Sequence, residues 1–141
     1  VIPGTDGRKM SKSYDNYIEI SASPETIKQK VRMMITDPAR IRKNDPGHPD
    51  VCNVYAFYQV FDEQNNTQEL KEVCQKGQIG CVECKKKLAS LIINKMQPIH
   101  QKRKELEQNP LIIDEILNNG AKRARVVAEK TLKEVREAMK I

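Results

Sequence analysis

The chain has 141 residues, a formal net charge of +6, 38% hydrophobic side chains and only 4% aromatic ones. That is one domain's worth of chain, with material for a single modest core. No apolar run is long enough to cross a bilayer, and the basic balance points to an anionic partner, nucleic acid before a membrane surface.

The chain opens on Val1 rather than Met, and residues 1–22 read as a mobile basic loop with Pro3, Gly4 and Gly7 and a short strand-like tail at Ile18–Ile20. Both features lead us to expect a piece of a longer protein. Ser23-Pro24-Glu25 reads as an N-cap, a first-position proline and a first-turn acid. The helix they open carries Ile27, Val31, Met34 and Ile35 on one face, and Thr36-Asp37-Pro38 closes it. Residues 38–49 form an exposed, aperiodic loop. Asp50 is expected to cap a second helix reaching Phe61, with Val51, Val54, Tyr55, Tyr58 and Phe61 inward. Asn66 and Glu69 make a capping-box pattern for a third helix, which Gly77 stops. A long helix from Cys81 to Gln108 follows, its core face Leu88, Leu91, Ile92, Met96 and Ile99, kinked or divided at Pro98. Asn109-Pro110 turns into a short helix, Leu111–Leu117. Gly120 then separates a last helix with the stripe Ala124, Val127, Ala128, Leu132, Val135 and Met139. The expected fold is all-α, a bundle of five or six helices behind a loop.

Chemistry concentrates in Gly7-Arg8-Lys9-Met10-Ser11-Lys12-Ser13, which sets three cations within five residues among hydroxyls and after two glycines. Such a segment suits a mobile clamp on a polyphosphate: lysines act as point charges, and Ser hydroxyls and backbone N–H groups add hydrogen bonds. A solvated basic linker is the plainer alternative.

Cys52, Cys74, Cys81 and Cys84 are spaced C-x21-C-x6-C-x2-C and are all the cysteines in the chain. Cys81 and Cys84 lie one helical turn apart, with the other two on separate elements. Four thiolates converging in this way suit tetrahedral zinc or a cubane iron–sulfur cluster. Reduced core cysteines are the bland alternative, disulfides a distant third. Without secretory features, the cysteines favour a reducing compartment, taken to be the cytoplasm. His48 and His100 are weaker candidate ligands, read as surface residues.

Between Lys85 and Lys104 lie seven basic residues and no acid: Lys85, Lys86, Lys87, Lys95, Lys102, Arg103 and Lys104 form a one-signed ridge able to contact the phosphates of a nucleic acid, with a purely solubilising face as the equal alternative. Reading the bases of a nucleic acid needs stacking or edge contacts, for which Tyr55, Phe57, Tyr58, Asn53 and Gln59 are candidates. The last helix instead mixes signs at i,i+4, as in Glu129/Lys133, Lys130/Glu134 and Lys133/Glu137, and reads as a solvated face.

Lys9-Met10-Ser11-Lys12-Ser13 is the unbroken KMSKS signature, and in this the chain resembles class I aminoacyl-tRNA synthetases. Its continuation through Tyr14-Asp15-Asn16, with VRMMITD at 31–37, GCVECK at 80–85 and Pro98-Ile99 before Lys102-Arg103, is similar to the tryptophan branch over nearly the whole length. The resemblance implies a ligase that adenylates L-tryptophan with Mg2+-ATP and loads it on tRNA. Lys9 and Lys12 would then hold the ATP phosphates, the Met10 backbone would lie near adenine, and Ser11 and Ser13 would support them. It also implies that residues 1–22 end a catalytic α/β nucleotide-binding domain otherwise missing from this chain, that 23–141 form an anticodon-binding helical domain, and that the full-length enzyme is a homodimer. This piece alone is expected to be inactive. A subset of the tryptophan enzymes carries a four-cysteine [4Fe-4S] site at closely similar spacing, which ranks iron–sulfur ahead of zinc for Cys52, Cys74, Cys81 and Cys84. The rivals are a metal-containing helical nucleic-acid-binding module without activity, an interaction protein using the basic ridge, and a tyrosine-specific parent.

Overall fold

In the computed structural model of the chain, residues 2–62 and 67–141 are described, and they fall into two units, Val1–Ile99 and His100–Ile141. Helix α1, Pro24–Met33, starts where its signals place it: Ser23 Oγ accepts the Thr26 N–H at 3.2 Å and Pro24 fills the first helical position. It ends at Met33, because Met34 is already extended at ψ 141°. Ile27, Val31 and Met34 are buried as expected, whereas Ile35 is exposed.

The second helix departs from its predicted start. Asp50 caps nothing: it sits in a 3-10 turn, Pro49–Val51, and its carboxylate takes Lys71 Nζ at 2.8 Å. Helix α2 spans Asn53–Phe61 with Cys52 before it and no side-chain cap. Val54, Tyr55, Phe57 and Tyr58 are buried while Val51 is exposed. The Phe57 and Phe61 rings stack with centroids 6.2 Å apart.

Helix α3 covers Thr67–Gln75, and the capping role expected of Asn66 lies outside the described residues. Gly77 does stop it. At φ 68° it takes the left-handed position, its N–H reaching Cys74 O and the Gln78 N–H reaching Val73 O, the paired bonds of a Schellman motif.

Helix α4 runs unbroken from Cys81 to Gln108, so Pro98 does not divide it. Leu88, Ala89 and Ile92 are buried against α1 and α2, with Leu91 and Met96 packed at the edge of that core; Ile99, predicted inward, is exposed. Helix α5 is also single, Pro110–Met139, and Gly120 does not interrupt it. A mid-helix glycine costs only about 1 kcal/mol against alanine. In the second unit no residue is buried; Val127, Leu132, Val135 and Met139, expected as a core stripe, are all exposed.

Five α-helices and no strand occur among the described residues, so the all-α expectation holds. The Ile18–Ile20 tail is not a strand; a single bridge, Pro3 to Lys9, is all the β pairing present among the described residues. No helix is long and apolar enough to cross a membrane.

Candidate phosphate-binding loop and cysteine site

The loop at residues 2–17 is built around one buried side chain. Asn16 is 2% exposed, and its Oδ1 accepts the Ser11 N–H at 2.8 Å while its Nδ2 donates to Asp6 Oδ1 and to Lys9 O. The Thr5 N–H closes on Asn16 O, and the Gly4 N–H on Arg8 O, both at 2.7 Å. A side chain at position 4 would land on the Asn16 amide, so this close approach demands glycine. The Gly4 carbonyl in turn accepts Asn53 Nδ2 at 2.8 Å, pinning the loop to the start of α2.

The far end is pinned to α1. Lys30 Nζ bonds Asp15 Oδ1 at 2.7 Å and Tyr17 O at 2.8 Å, and Asp15 itself turns the chain at φ 46°. Between these anchors, Ser11 Oγ accepts the Ser13 N–H and caps the 3-10 turn Lys12–Tyr14.

The three cations of the loop divide by role. Arg8 is engaged: its guanidinium pairs with Asp6 at 2.6 Å and lies 4.3 Å from the centre of the Tyr14 ring. Asn16 and Arg8 together hold the Asp6 carboxyl below its ordinary pKa, against a smaller opposing effect of desolvation. Lys9 and Lys12 are exposed and form no ion pair among the described residues. The loop thus presents two uncommitted ammonium groups, with the Met10 side chain 38% exposed between them.

The cysteines come from the start of α2 (Cys52), the end of α3 (Cys74) and the first turn of α4 (Cys81, Cys84); all four are free thiols and partly buried. Burial pushes the Cys84 thiol up to about 12, and the charges of Cys52, Cys74 and Cys81 push the same way, so the four lie within electrostatic reach of one another. Cys74 is raised too, chiefly by burial, with Arg40 opposing.

Arg40 braces this corner. Its Nη1 lies 3.7 Å from Cys74 Sγ, Nη2 donates to Ile79 O at 2.6 Å, and its buried Nε has no hydrogen-bond partner. Gly47 passes so close that an added Cβ would meet Cys74 Sγ at 2.5 Å, and the Gly47 N–H bonds Cys74 O. Tyr58 Oη donates to Cys84 O at 3.0 Å.

Beside it, the buried Asp37 carboxylate accepts the Ala39 N–H, the His48 N–H and, at 2.8 Å, the His48 ring. Burial alone would raise its pKa; these bonds outweigh that and leave it lowered.

As a donor set, four soft thiols beside a guanidinium fit an anionic sulfur-ligated cluster. As arranged, no three His, Cys, Asp or Glu side chains among the described residues close on a point that would hold one ion. A single zinc needs sulfurs at about 2.3 Å from its centre. Neither an iron–sulfur nor a zinc site is displayed by the protein atoms themselves.

The lysine ridge is split by the turn of α4. Lys85 and Lys86 face α1, whereas Lys87 and Lys95 line a hollow with Tyr58, Leu70, Asp62 and Glu69. Further along, Lys102 pairs with Glu105 and Arg103 with Glu107, neighbours within their own helix. The candidate base readers are largely spent: Tyr55, Phe57 and Tyr58 are in the core, and Asn53 is 7% exposed and bonded to Gly4. Only Gln59 of that group is exposed. Asn16, the residue that organises the loop, could have been suspected only from its place three residues beyond the signature.

The sequence pattern described as "tRNA synthetases class I (W and Y)" matches residues 1–97, from the loop carrying Lys9 and Lys12 into α4. The chain belongs to that family. Enzymes of the tryptophan branch match it over nearly its whole length. The tryptophan–tRNA ligases of Aquifex aeolicus and Thermotoga maritima are each 43% identical to it over 141 residues, 99% of this chain. The crystal structure of tryptophanyl-tRNA synthetase from Campylobacter jejuni complexed with ADP and tryptophan superposes with a TM-score of 0.90 at 32% identity, covering 100% of this chain and 44% of that one. The chain spans 36% and 43% of the length of the two ligases.

Proposed function

We propose that the full-length protein carrying this chain is a tryptophan–tRNA ligase. In the reaction, a carboxylate oxygen of L-tryptophan attacks the α-phosphorus of Mg2+-ATP, the bridging P–O bond breaks and pyrophosphate leaves. The adenylate then passes its tryptophanyl group to tRNA. Residues 1–22 close the catalytic domain and 23–141 serve tRNA binding. The observation that carries this reading is the pair of exposed ammonium groups, Lys9 and Lys12, without an ion pair among the described residues, on a loop whose backbone is fixed by Asn16.

Lys9 and Lys12 grip the phosphates, and their attraction strengthens as the departing pyrophosphate gains charge. Only such differential stabilisation lowers the barrier. The Met10 backbone lies along the adenine. Ser13, whose N–H caps on Ser11 Oγ, offers its hydroxyl to phosphate oxygen, and Ser11 supports the turn.

Cys52, Cys74, Cys81 and Cys84 would hold a [4Fe-4S] cluster, in preference to zinc. Supporting this are the thiol-only donor set, the mutual influence of the four thiols and the partnerless buried N–H of Arg40 beside Cys74. When bound, such a group would supply structural cross-linking of α2, α3 and α4. The full-length enzyme works in the cytoplasm as a homodimer.

Lys12→Ala in the full-length protein tests the central reading. Removing one transition-state interaction of this kind lowers rate by about 10² to 10³-fold, so tryptophan-dependent pyrophosphate exchange falls by that factor with tryptophan affinity little changed. Unaltered exchange would leave a helical nucleic-acid-binding module without activity, a reading that the family membership does not favour.

A further inference from the structure

We propose that the cleft between α1 and the first half of α4 is a track for the phosphate backbone of tRNA, with Lys28 and Arg32 of α1 as phosphate-binding groups that the lysine ridge alone did not suggest. The cleft, about 800 Å³, is lined by Lys28, Arg32, Lys85 and Lys86, with Ser90, Ala89 and Val82 between them. Four cations and a hydroxyl meet there, and no carboxylate is among the lining residues.

Helical geometry produces this convergence. Lys28 and Arg32 are four residues apart and share one face of α1, while Ile27 and Val31 on the adjoining face anchor the helix in the core. On α4, Lys85 and Lys86 stand beside Ala89, which packs into that core. Lys85 Nζ donates to Arg32 O at 2.9 Å, drawing the two helices together on the rim. Lys28, Arg32 and Lys86 form no ion pair among the described residues.

A backbone suits the cleft better than an isolated anion, because the charge continues beyond it. An adjoining hollow, sharing Val82 and Lys86, is lined by Arg42, Lys43 and the braced Arg40. Its one acid, Glu83, is paired with Lys87 at 3.3 Å. Cations laid in sequence over two contiguous depressions match a row of phosphates, which supplies affinity and register without reading bases. The distal ridge differs, since Lys102 and Arg103 are matched by glutamates of their own helix.

The inference rests on the tRNA-binding half of the proposed function. It is tested in the full-length protein with the double variant Lys28→Glu/Arg32→Glu, both sites being exposed. Binding of fluorescent tRNA is measured from low to high salt, alongside tryptophan-dependent pyrophosphate exchange, which needs no tRNA. Each phosphate interaction removed lowers the slope of log affinity against log salt by about 1, so the slope should fall by roughly two. Affinity at low salt should drop about tenfold or more, with exchange unchanged. Slope and affinity equal to those of the unaltered protein would overturn the track. Absence of exchange in the unaltered protein would instead sink the ligase reading, whatever its tRNA affinity.

Discussion

The loop at residues 2–17 and the corner holding the four cysteines are assembled by the same device and left in opposite electrostatic states. Each depends on a glycine pressed against a functional side chain, Gly4 on Asn16 and Gly47 on Cys74. In the loop, Asn16 spends its amide on Ser11, Asp6 and Lys9, Arg8 is neutralised by Asp6, and only Lys9 and Lys12 remain uncommitted. In the cysteine corner, burial and the neighbouring thiols push the Cys84 and Cys74 pKa values up, and the buried Arg40 Nε has no hydrogen-bond partner among the described residues. A completed scaffold with free charges suits a ligand that comes and goes. A set of groups whose ionised forms are penalised until a compensating charge arrives suits a permanent one.

Replacing the two glycines should separate the regions. Gly4→Ala has the larger effect: the new methyl displaces Asn16 and strips the Ser11 N–H of its acceptor. An orphaned polar group of this kind costs about 1–3 kcal/mol, and the loop backbone that carries Lys9 and Lys12 loses its fixed course. Pyrophosphate exchange by the full-length protein should drop about tenfold to a hundredfold, since small misplacements of positioning groups cost up to that factor. Iron and sulfide content should stay the same. Exchange at the unaltered rate would mean that the loop needs no internal pinning.

Gly47→Ala is the converse. Its methyl meets Cys74 Sγ and forces that thiol away from the other three. Anaerobically purified variant protein should lose iron and sulfide and melt at lower temperature, while exchange changes by less than in the Gly4 variant. One zinc per chain in both proteins would replace the cluster with an ion. Full iron content in the variant would remove Cys74 from the ligand set.

The amount legible in the sequence tracks how local the cause was. Ser23 capping α1, Gly77 stopping α3 and the inward faces Ile27/Val31 and Leu88/Ile92 follow from spacing and turn chemistry, and they are found as read. The signature lysines were legible as residues, but their freedom was not. That depends on Asp6 taking Arg8 and on Asn16 satisfying the backbone, interactions made across a fold-back that no periodicity encodes. The burial of Tyr55 and Asn53, candidate base readers in the sequence, is illegible there for the same reason. An aromatic or amide at helical spacing looks alike whether it faces RNA or a core, and here Val54 and Phe57 bring that face inward. Pro98 does not divide α4 and Gly120 does not break α5. Both lie inside helices long enough to absorb one poor residue. The apolar stripe of α5 obeys its period yet is exposed, because period tells which face is apolar and not what covers it.

The smallest effect belongs to the distal ridge, and it sharpens the contrast between committed and free cations drawn from the loop. Lys102 and Arg103 resemble Arg8 rather than Lys9: each is satisfied by a nearby acid, Glu105 at 3.1 Å and Glu107 at 2.6 Å. The hydrogen bond from Lys102 is the chief reason that the Glu105 carboxyl titrates below its ordinary range. These pairs are open to solvent, where screening and side-chain entropy consume most of the attraction. Lys102→Ala/Arg103→Ala should therefore leave the melting temperature unmoved within measurement. Because removing the cations also releases two carboxylates, the local charge turns acidic, and tRNA affinity should fall by less than in the Lys28/Arg32 variant, most visibly at low salt. If instead the distal pair proves the more damaging of the two, the ordering by freedom is wrong. RNA would then compete successfully with the glutamates, and commitment within the free protein would be no guide to which cations meet phosphate.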